Sequence, residues 1–345
     1  MISVIIPCYQ ERDYISSFLD QLKSFEMCED TEFLLVDGGS NDGTREVIND
    51  KIQFFSNLRI IENPWQIVPI AMNLGIREAR GEYIIRLDVH SKYPPDYLSK
   101  LTYWARKTGA DNVGGICIPG ALENTPTANA ICKVFKDRFG VGNSLFRLGV
   151  TTPTEVDTVQ FGCYRRDVFE KIGLFDERLA RVQDYELNNR LRSAGGRILL
   201  VPEIKYIYYP RSNYISLWQN RYATGKGIVM ALYYTGSFRT INIRHTVPLL
   251  FVILLLLPLF LAVLWPVCLI PSIFVFLFYV GILTLRSFKL ADKQSSAWRV
   301  ALSFFIMHFS YGLGSIAGLF RVFFRVALGN RKKDKMLCYS KSINK

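Results

Sequence analysis

The stretch Tyr83-Ile84-Ile85-Arg86-Leu87-Asp88-Val89-His90 decides the fold. An apolar run that ends abruptly in a carboxylate and an imidazole is typical of a buried strand that ends at a ligand, because open α/β sheets bind ligands at the carboxyl ends of their strands. Asp88 and His90 are two residues apart, so both can converge on one ion. Carboxylates bind Mg²⁺ and Mn²⁺, and Mn²⁺ also accepts imidazole. The alternative interpretation is a turn followed by a surface histidine.

Apolar runs and helix-like segments alternate before this stretch. The predicted strands cover 2–6, 33–36, 58–61 and 83–87, and the predicted helices cover 14–23, 44–50 and 68–79. Alternation with short connections predicts an α/β fold with a mainly parallel sheet. The strands are almost continuously apolar, which predicts a sheet covered on both faces.

Two turns follow the first two strands, at 7–11 and 37–44. The second is rich in glycine and in hydrogen-bonding side chains, as expected of a loop that approaches a ligand or caps the next helix. Its spacing is neither G-x-G-x-x-G nor G-x-x-x-x-G-K-[ST], which argues against a dinucleotide site and a P-loop.

The positive charge is unevenly distributed. Of the net charge of +12, ten units lie C-terminal to His245, and the first 245 residues hold only two. A basic stripe on a folded face is typical of nucleic-acid binding, so no nucleic-acid partner is expected. The seven cysteines include no Cys-x-x-Cys pair, which argues against a zinc site or a disulfide framework.

The C-terminal third has the composition of a membrane region. Forty uncharged residues lie between His245 and Arg286, enough for two crossings at about 20 residues each. We predict interfacial amphipathic helices at 211–245 and a membrane region at 246–325, with spans at 246–265 and 267–285. A third hydrophobic segment at 300–320 could span, or could use its small residues for helix packing. A basic cytoplasmic tail is predicted at 326–345.

An ordered set of short motifs resembles the inverting glycosyltransferases of family 2, within them the membrane-attached exopolysaccharide subgroup of the succinoglycan type. The set consists of Pro7-x-Tyr9-x-Glu11, Asp37-Gly38-Gly39-Ser40-x-Asp42-Gly43-Thr44, Asn73-x-Gly75-Ile76, Gly81-Glu82-Tyr83, Asp88-x-His90, Gly162 and Gln183-Asp184 with Arg190-Leu191. The resemblance implies a nucleotide-sugar-binding fold of the GT-A type, assigned here to residues 1–210.

The resemblance also implies roles for individual residues. The nucleotide-binding residues would be Pro7, Tyr9, Glu11, Asp37 and Asp88, with Tyr9 stacking on the base and Asp37 accepting a hydrogen bond from a base N–H. Asp88 and His90 stand where the family has Asp-x-Asp and would hold the metal. Because His90 replaces the usual second aspartate, a weaker preference for Mg²⁺ over Mn²⁺ is expected.

Asp184 would be the general base that deprotonates the acceptor hydroxyl. Asp42 and Asn73 would hold loop architecture, and Arg190 and Arg192 would brace a loop. Gln219-Asn220-Arg221-Tyr222 resembles a Gln-x-x-Arg-Trp element with shortened spacing. Gln219 and Arg221 would therefore contact the diphosphate or the acceptor, and a lipid-headgroup anchor is the alternative for Arg221.

The expected function is transfer of a hexose, with UDP-glucose as the favoured donor, to a hydroxyl of a polyprenyl-diphosphate-linked oligosaccharide. The expected cofactor is Mn²⁺ or Mg²⁺. The expected partners are a nucleotide sugar, with a UDP-hexose favoured, a lipid-linked glycan acceptor and membrane lipids. The expected location is the cytoplasmic membrane, with the catalytic domain facing the cytoplasm. The alternatives are transfer to polyprenyl phosphate itself and a non-catalytic membrane scaffold.

Overall fold

The computed structural model describes residues 1–237 and 242–328, so most of the predicted tail lies outside the described residues. They form two compact units. The first comprises Met1–Ile118 and Leu145–Tyr209, and the second comprises Pro119–Ser144 and the described residues from Pro210 on. The first unit ends one residue before the predicted boundary at 210. It leaves out 119–144, which the sequence prediction assigned to the same domain.

A nine-stranded sheet organises the first unit, in the order β3-β2-β1-β4-β8-β6-β9-β5, with β7 paired to β9. The strands are β1 (Ile2–Cys8), β2 (Thr31–Asp37), β3 (Leu58–Glu62), β4 (Tyr83–Arg86), β5 (Ser91–Lys92), β6 (Asn112–Pro119), β7 (Thr154–Glu155), β8 (Cys163–Arg165) and β9 (Ile198–Tyr208). Strands β1 to β4 pair in parallel, as predicted. The pairs β4–β8, β6–β8, β5–β9 and β7–β9 are antiparallel, so the whole sheet is mixed.

Helices cover both faces of this sheet. Those of the first unit are α1 (Arg12–Lys23), α2 (Thr44–Ile52), α3 (Val68–Glu78), α4 (Tyr97–Thr108), α7 (Leu145–Leu148), α8 (Asp167–Ile172) and α9 (Gln183–Ser193). Alternate residues of β1 enter different cores: Val4 and Ile6 pack with α1 and α4, whereas Ile5 packs with α3 and α9. Successive side chains of a strand point to opposite faces, which produces this division. Because both faces are covered, the strand sequences are continuously apolar.

The second unit is helical. It contains α5 (Pro126–Phe135), α6 (Arg138–Val141), α10 (Tyr214–Thr235), α11 (Ile243–Leu261), a 3₁₀ turn (Pro266–Cys268), α12 (Leu269–Leu290) and α13 (Ala297–Ala327). Three helical segments among the described residues, Ile243–Leu261, Pro266–Leu290 and Ala297–Ala327, are long and apolar enough to cross a membrane by length and composition. The predicted segments 246–265, 267–285 and 300–320 fall largely on them.

The excursion at 119–144 is held to the helices of the second unit by ion pairs. Lys133 on α5 lies 2.6 Å from Asp292, and Arg286 on α12 pairs with the buried Asp137. The helices of this segment, α5 and α6, therefore belong to the second unit.

Helix α9 is anchored by the buried side chain of Asn188. Its Oδ1 accepts hydrogen bonds from Asn112 Nδ2 and Tyr164 OH, both at 2.9 Å, and its Nδ2 donates to Thr158 Oγ1 at 2.8 Å. On the same helix, Arg190 donates to the backbone carbonyls of Ile172 and Leu174. The bracing role expected for Arg190 is therefore visible, and the position of the start of α9 is fixed by polar contacts as well as by packing.

We expect Asn188→Ala to lower the free energy of unfolding by about 2–4 kcal/mol, because it leaves buried partners without a hydrogen bond. Denaturant unfolding of the full chain in detergent, followed by tryptophan fluorescence, measures the change. Asn189→Ala is the matched control, since the Asn189 Nδ2 is buried and has no hydrogen-bond partner among the described residues. Equal stability of the two variants would contradict the anchoring role.

Candidate active site

The carboxyl ends of β1, β2 and β4 lie side by side and bring the predicted nucleotide-binding residues to one edge of the sheet. The parallel register pairs Cys8 with Asp37 and Ile5 with Arg86. The chain that leaves β1 therefore passes beside the end of β2 on one side and the end of β4 on the other.

Hydrogen bonds join the loops after β1 and β2. The backbone N–H of Gln10 donates to Ser40 Oγ at 2.9 Å, and that of Glu11 donates to Thr44 Oγ1 at 2.8 Å. Asp42 accepts from the Thr44 hydroxyl at 2.6 Å. Gln10 has a φ of +59°, an uncommon value for a residue with a side chain. Asp42 thus holds the loop, as expected.

Tyr9 lies over the start of the second loop. A Cβ at Gly38 would meet Tyr9 Cδ2 at 2.8 Å, so the ring rests on a backbone that has no side chain. Tyr9 is 42% exposed, and its outer face is accessible to a flat ligand. Pro7, near the end of β1, is half-buried. The roles of both residues toward a nucleoside stay predictions.

Asp37 is fully buried, and its carboxylate contacts residues of this chain. It accepts from Ser40 Oγ at 2.6 Å and from Arg45 Nε at 2.6 Å. The predicted hydrogen bond from a base N–H would be made alongside these contacts. That role also stays a prediction.

Asp88 and His90 are joined to the β1 loop through Glu11. Asp88 Oδ1 accepts from the backbone N–H of His90 at 3.1 Å, and His90 Nε2 lies 2.9 Å from Glu11 Oε1. The edge of the Tyr14 ring packs against the imidazole, with ring centroids 4.7 Å apart. The His90 ring is thereby oriented by a carboxylate, an arrangement common for histidines that bind metals.

Asp184 lies in the first turn of α9 and is connected to Asp88 by Arg86. Arg86 Nη1 donates to both oxygens of Asp184, at 3.0 and 2.8 Å, and Arg86 Nη2 lies 3.6 Å from Asp88 Oδ2. Burial lowers the pKa of Arg86, but the charges of Asp184 and Asp88 raise it by more, so the net shift is upward. The predicted base and the predicted metal-binding segment are therefore neighbours.

The residues at this edge fit a divalent cation that is shared with a substrate. No group of three or more His, Cys, Asp or Glu side chains suited to a metal occurs within 1–237 and 242–328. Mg²⁺ commonly takes one or two protein carboxylates and completes its shell with phosphate oxygens and water. The buried Glu11 Oε2 has no hydrogen-bond partner in the described part of the chain. Asp88 and His90 would offer the protein share of such a site, with Glu11 in contact with the imidazole, and their role as metal ligands stays a prediction.

Gln219 and Arg221 lie on α10, in the second unit. Arg221 donates to Asn220 Oδ1, and its guanidinium lies over the Phe135 ring, 5.2 Å from the centroid. These contacts fix the orientation of the arginine within its own unit.

Sequence reasoning missed Arg86 and Arg45. The signal for Arg86 was a single charge within the apolar run of β4, where a buried cation requires a nearby carboxylate. For Arg45 no comparable signal exists, since an arginine in the first turn of a surface helix is ordinary.

This chain is similar in sequence to known glycosyltransferases. Residues 3–173 match the family described as Glycosyl transferase family 2. The succinoglycan biosynthesis protein ExoA of Rhizobium meliloti is 29% identical over 226 residues, which cover 65% of this chain and 68% of that protein. A dolichyl N-acetyl-alpha-D-glucosaminyl phosphate 3-beta-D-2,3-diacetamido-2,3-dideoxy-beta-D-glucuronosyltransferase of Methanococcus voltae is 27% identical over 336 residues, covering 93% and 97% of the two chains.

A solved structure shares the fold. The mannosyltransferase of Pyrobaculum calidifontis, in complex with GDP-Man and Mn²⁺, superposes with a TM-score of 0.60 over 92% of this chain and 86% of that one. At 16% identity this likeness shows the fold alone. The family match and the homology to the Rhizobium and Methanococcus proteins show more than the fold: residues 3–173 of this chain form a family 2 glycosyltransferase domain, homologous to other glycosyltransferases of that family.

Proposed function

We propose that this glycosyltransferase moves a hexose from a nucleotide diphosphate sugar, with UDP-glucose favoured, to a hydroxyl of a polyprenyl-diphosphate-linked oligosaccharide, with inversion. The observation that supports it most is the Asp184 carboxylate, held through Arg86 beside Asp88 at the carboxyl edge of the sheet. The names of two relatives add support, since one belongs to succinoglycan biosynthesis and the other acts on a dolichyl-linked sugar phosphate.

The chemistry requires a base for the acceptor. As the acceptor oxygen bonds to the anomeric carbon and the bond to the diphosphate oxygen breaks, the hydroxyl proton passes to an Asp184 oxygen. Attack opposite the leaving group inverts the anomeric centre. The Asp184 side chain is 27% exposed, so an acceptor can reach it.

The donor lies, in this proposal, along the edge formed by the ends of β1, β2 and β4. Tyr9 stacks on the base, Pro7 and Glu11 line the nucleoside pocket, Asp37 accepts from the base, and Asp88 contacts the ribose or the metal. Asp88 and His90 hold Mn²⁺ or Mg²⁺. When bound, the cation would stabilise the negative charge of the departing diphosphate as a Lewis acid.

The long apolar helices of the second unit support membrane association, and we propose the cytoplasmic membrane with the catalytic domain on the cytoplasmic side. Arg286, Lys289 and Lys293 cluster around the C-terminal end of α12, and basic residues at the end of a span favour the cytoplasmic side. Gln219 and Arg221 are proposed contacts of the diphosphate or of the acceptor, as the resemblance implies.

We expect membrane-embedded protein to release UDP from UDP-glucose only when a polyprenyl-diphosphate-linked sugar is present. A panel of UDP-hexoses and GDP-mannose, assayed for nucleoside diphosphate and lipid-linked product, measures this. Transfer to bare polyprenyl phosphate would favour the alternative acceptor. Binding without release of nucleoside diphosphate from any donor would favour a non-catalytic scaffold.

Asp184→Asn is expected to reduce transfer by about 10²–10⁴-fold, the range attributed to a general base. The matched control is Asp167→Asn. Asp167 lies in the first turn of α8 and pairs with Arg165, as Asp184 lies in the first turn of α9 and pairs with Arg86. Initial rates at saturating donor compare the variants, and wild-type turnover by Asp184→Asn would refute the assignment of the base.

His90→Asp is expected to raise the ratio of Mg²⁺-supported to Mn²⁺-supported turnover on the order of tenfold, because it replaces an imidazole with a carboxylate. His90→Asn, which adds no charge, is the control, and its ratio should stay below that of His90→Asp. Parallel Mn²⁺ titrations by electron paramagnetic resonance report binding directly. An unchanged ratio in His90→Asp would argue against metal contact at this position.

A further inference from the structure

Arg86 is a buried cation between two carboxylates that the sequence places almost a hundred residues apart. It ends β4, and its side chain is only 10% exposed. Its guanidinium lies over the Phe161 ring, 5.3 Å from the centroid, with Asp184 and Asp88 on its Nη atoms. The arginine is therefore fixed by a strand, an aromatic face and two acidic side chains.

Stability alone is a weak reason for such an arrangement. Ion pairs removed from water often contribute little net stability, because desolvation offsets the attraction. One guanidinium contacts two separate carboxylates, those of Asp184 and Asp88. A lysine ammonium lacks the planar fork of donors and does not reproduce this geometry. Arg86 is distinguished by its location. It lies between Asp88, in the segment proposed to contact the donor, and Asp184, the proposed base.

We propose that Arg86 is a positioning residue of the transfer reaction, which fixes the Asp184 carboxylate relative to Asp88. This inference rests on the proposed function of Asp184. Arg86 donates to both oxygens of Asp184, and each carboxylate oxygen has a second lone pair that can accept the acceptor's proton. Arg86 is more enclosed than Asp184, so it acts on the reaction through the carboxylate.

The inference predicts a change in turnover without an equal change in donor binding. Displacement of a catalytic group by about 1 Å can cost about 10²-fold in rate. We expect Arg86→Lys and Arg86→Met to lower kcat by about 10–10²-fold, with the donor KM, and the donor Kd from calorimetry, within about threefold of wild type. A role confined to fold stability would instead lower Tm and the active fraction while leaving kcat per folded molecule unchanged.

A double-mutant cycle decides whether Arg86 acts through Asp184. If it does, Arg86→Met/Asp184→Asn should have the kcat of Asp184→Asn within about threefold, because the partner is already lost. Multiplicative losses would overturn the inference.

Arg165→Met is the matched control: Arg165 lies opposite Tyr83, at the other end of β4, and pairs with Asp111 and Asp167. It should retain wild-type kcat.

The outcomes separate this inference from the proposed function. Full activity of Asp184→Asn would refute the base, whatever Arg86 does. A slow Asp184→Asn together with wild-type kcat in Arg86→Lys would refute only the positioning role. If Arg86→Met does not fold, Arg86→Lys, which keeps the charge, decides the question, with its folding checked by thermal unfolding and donor binding.

Discussion

The parallel alignment of β2, β1 and β4 is the constraint on which the rest of the site depends. Parallel neighbours end at the same edge of a sheet, and their interiors are apolar because helices cover both faces. The polar side chains of the site therefore stand where these strands end. The Tyr9–Glu11 loop, Asp37 and the Asp88–His90 segment meet there because their strands are neighbours, although the chain places up to 80 residues between them.

The carboxylates proposed for nucleotide binding and catalysis at this edge each contact a basic side chain. Glu11 contacts His90, and Arg86 contacts both Asp88 and Asp184. Asp37 is paired separately with Arg45. A nucleoside diphosphate is strongly anionic, so a cluster of unpaired carboxylates would repel it. In the proposed donor site, histidine in place of the family's second aspartate reduces the negative charge that a donor meets.

The sequence sufficed to predict β1 to β4, their helices and the edge where they end, because period and turn chemistry are local signals. It did not reveal how α9 reaches that edge. The position of α9 depends on the hydrogen bonds of Asn188, whose partners are Asn112, Tyr164 and Thr158. No local sequence pattern predicts these contacts. The pairing of Asp37 with Arg45 was hidden for the same reason. The resemblance named Asp184, but only the coordinates show the arginine that holds it.

Packing distinguishes α13 from the other two apolar helices, although all three are long and apolar enough to cross a membrane. Of its most apolar window 61% is buried within the protein, against 6% for α11 and 11% for the segment that contains α12. A Cβ at Gly314 would lie 2.0 Å from the carbonyl oxygen of Tyr222, and one at Gly225 would lie 2.1 Å from that of Tyr311. The backbones of α10 and α13 thus approach closely. Small residues are used here for helix packing, one of the two interpretations that the sequence allowed.

Apolar surface that is buried in helix packing is not available to lipid. Within the described residues, the apolar faces suited to a bilayer therefore belong mainly to α11 and α12, whose exposed leucines, valines and phenylalanines would be costly to leave in water.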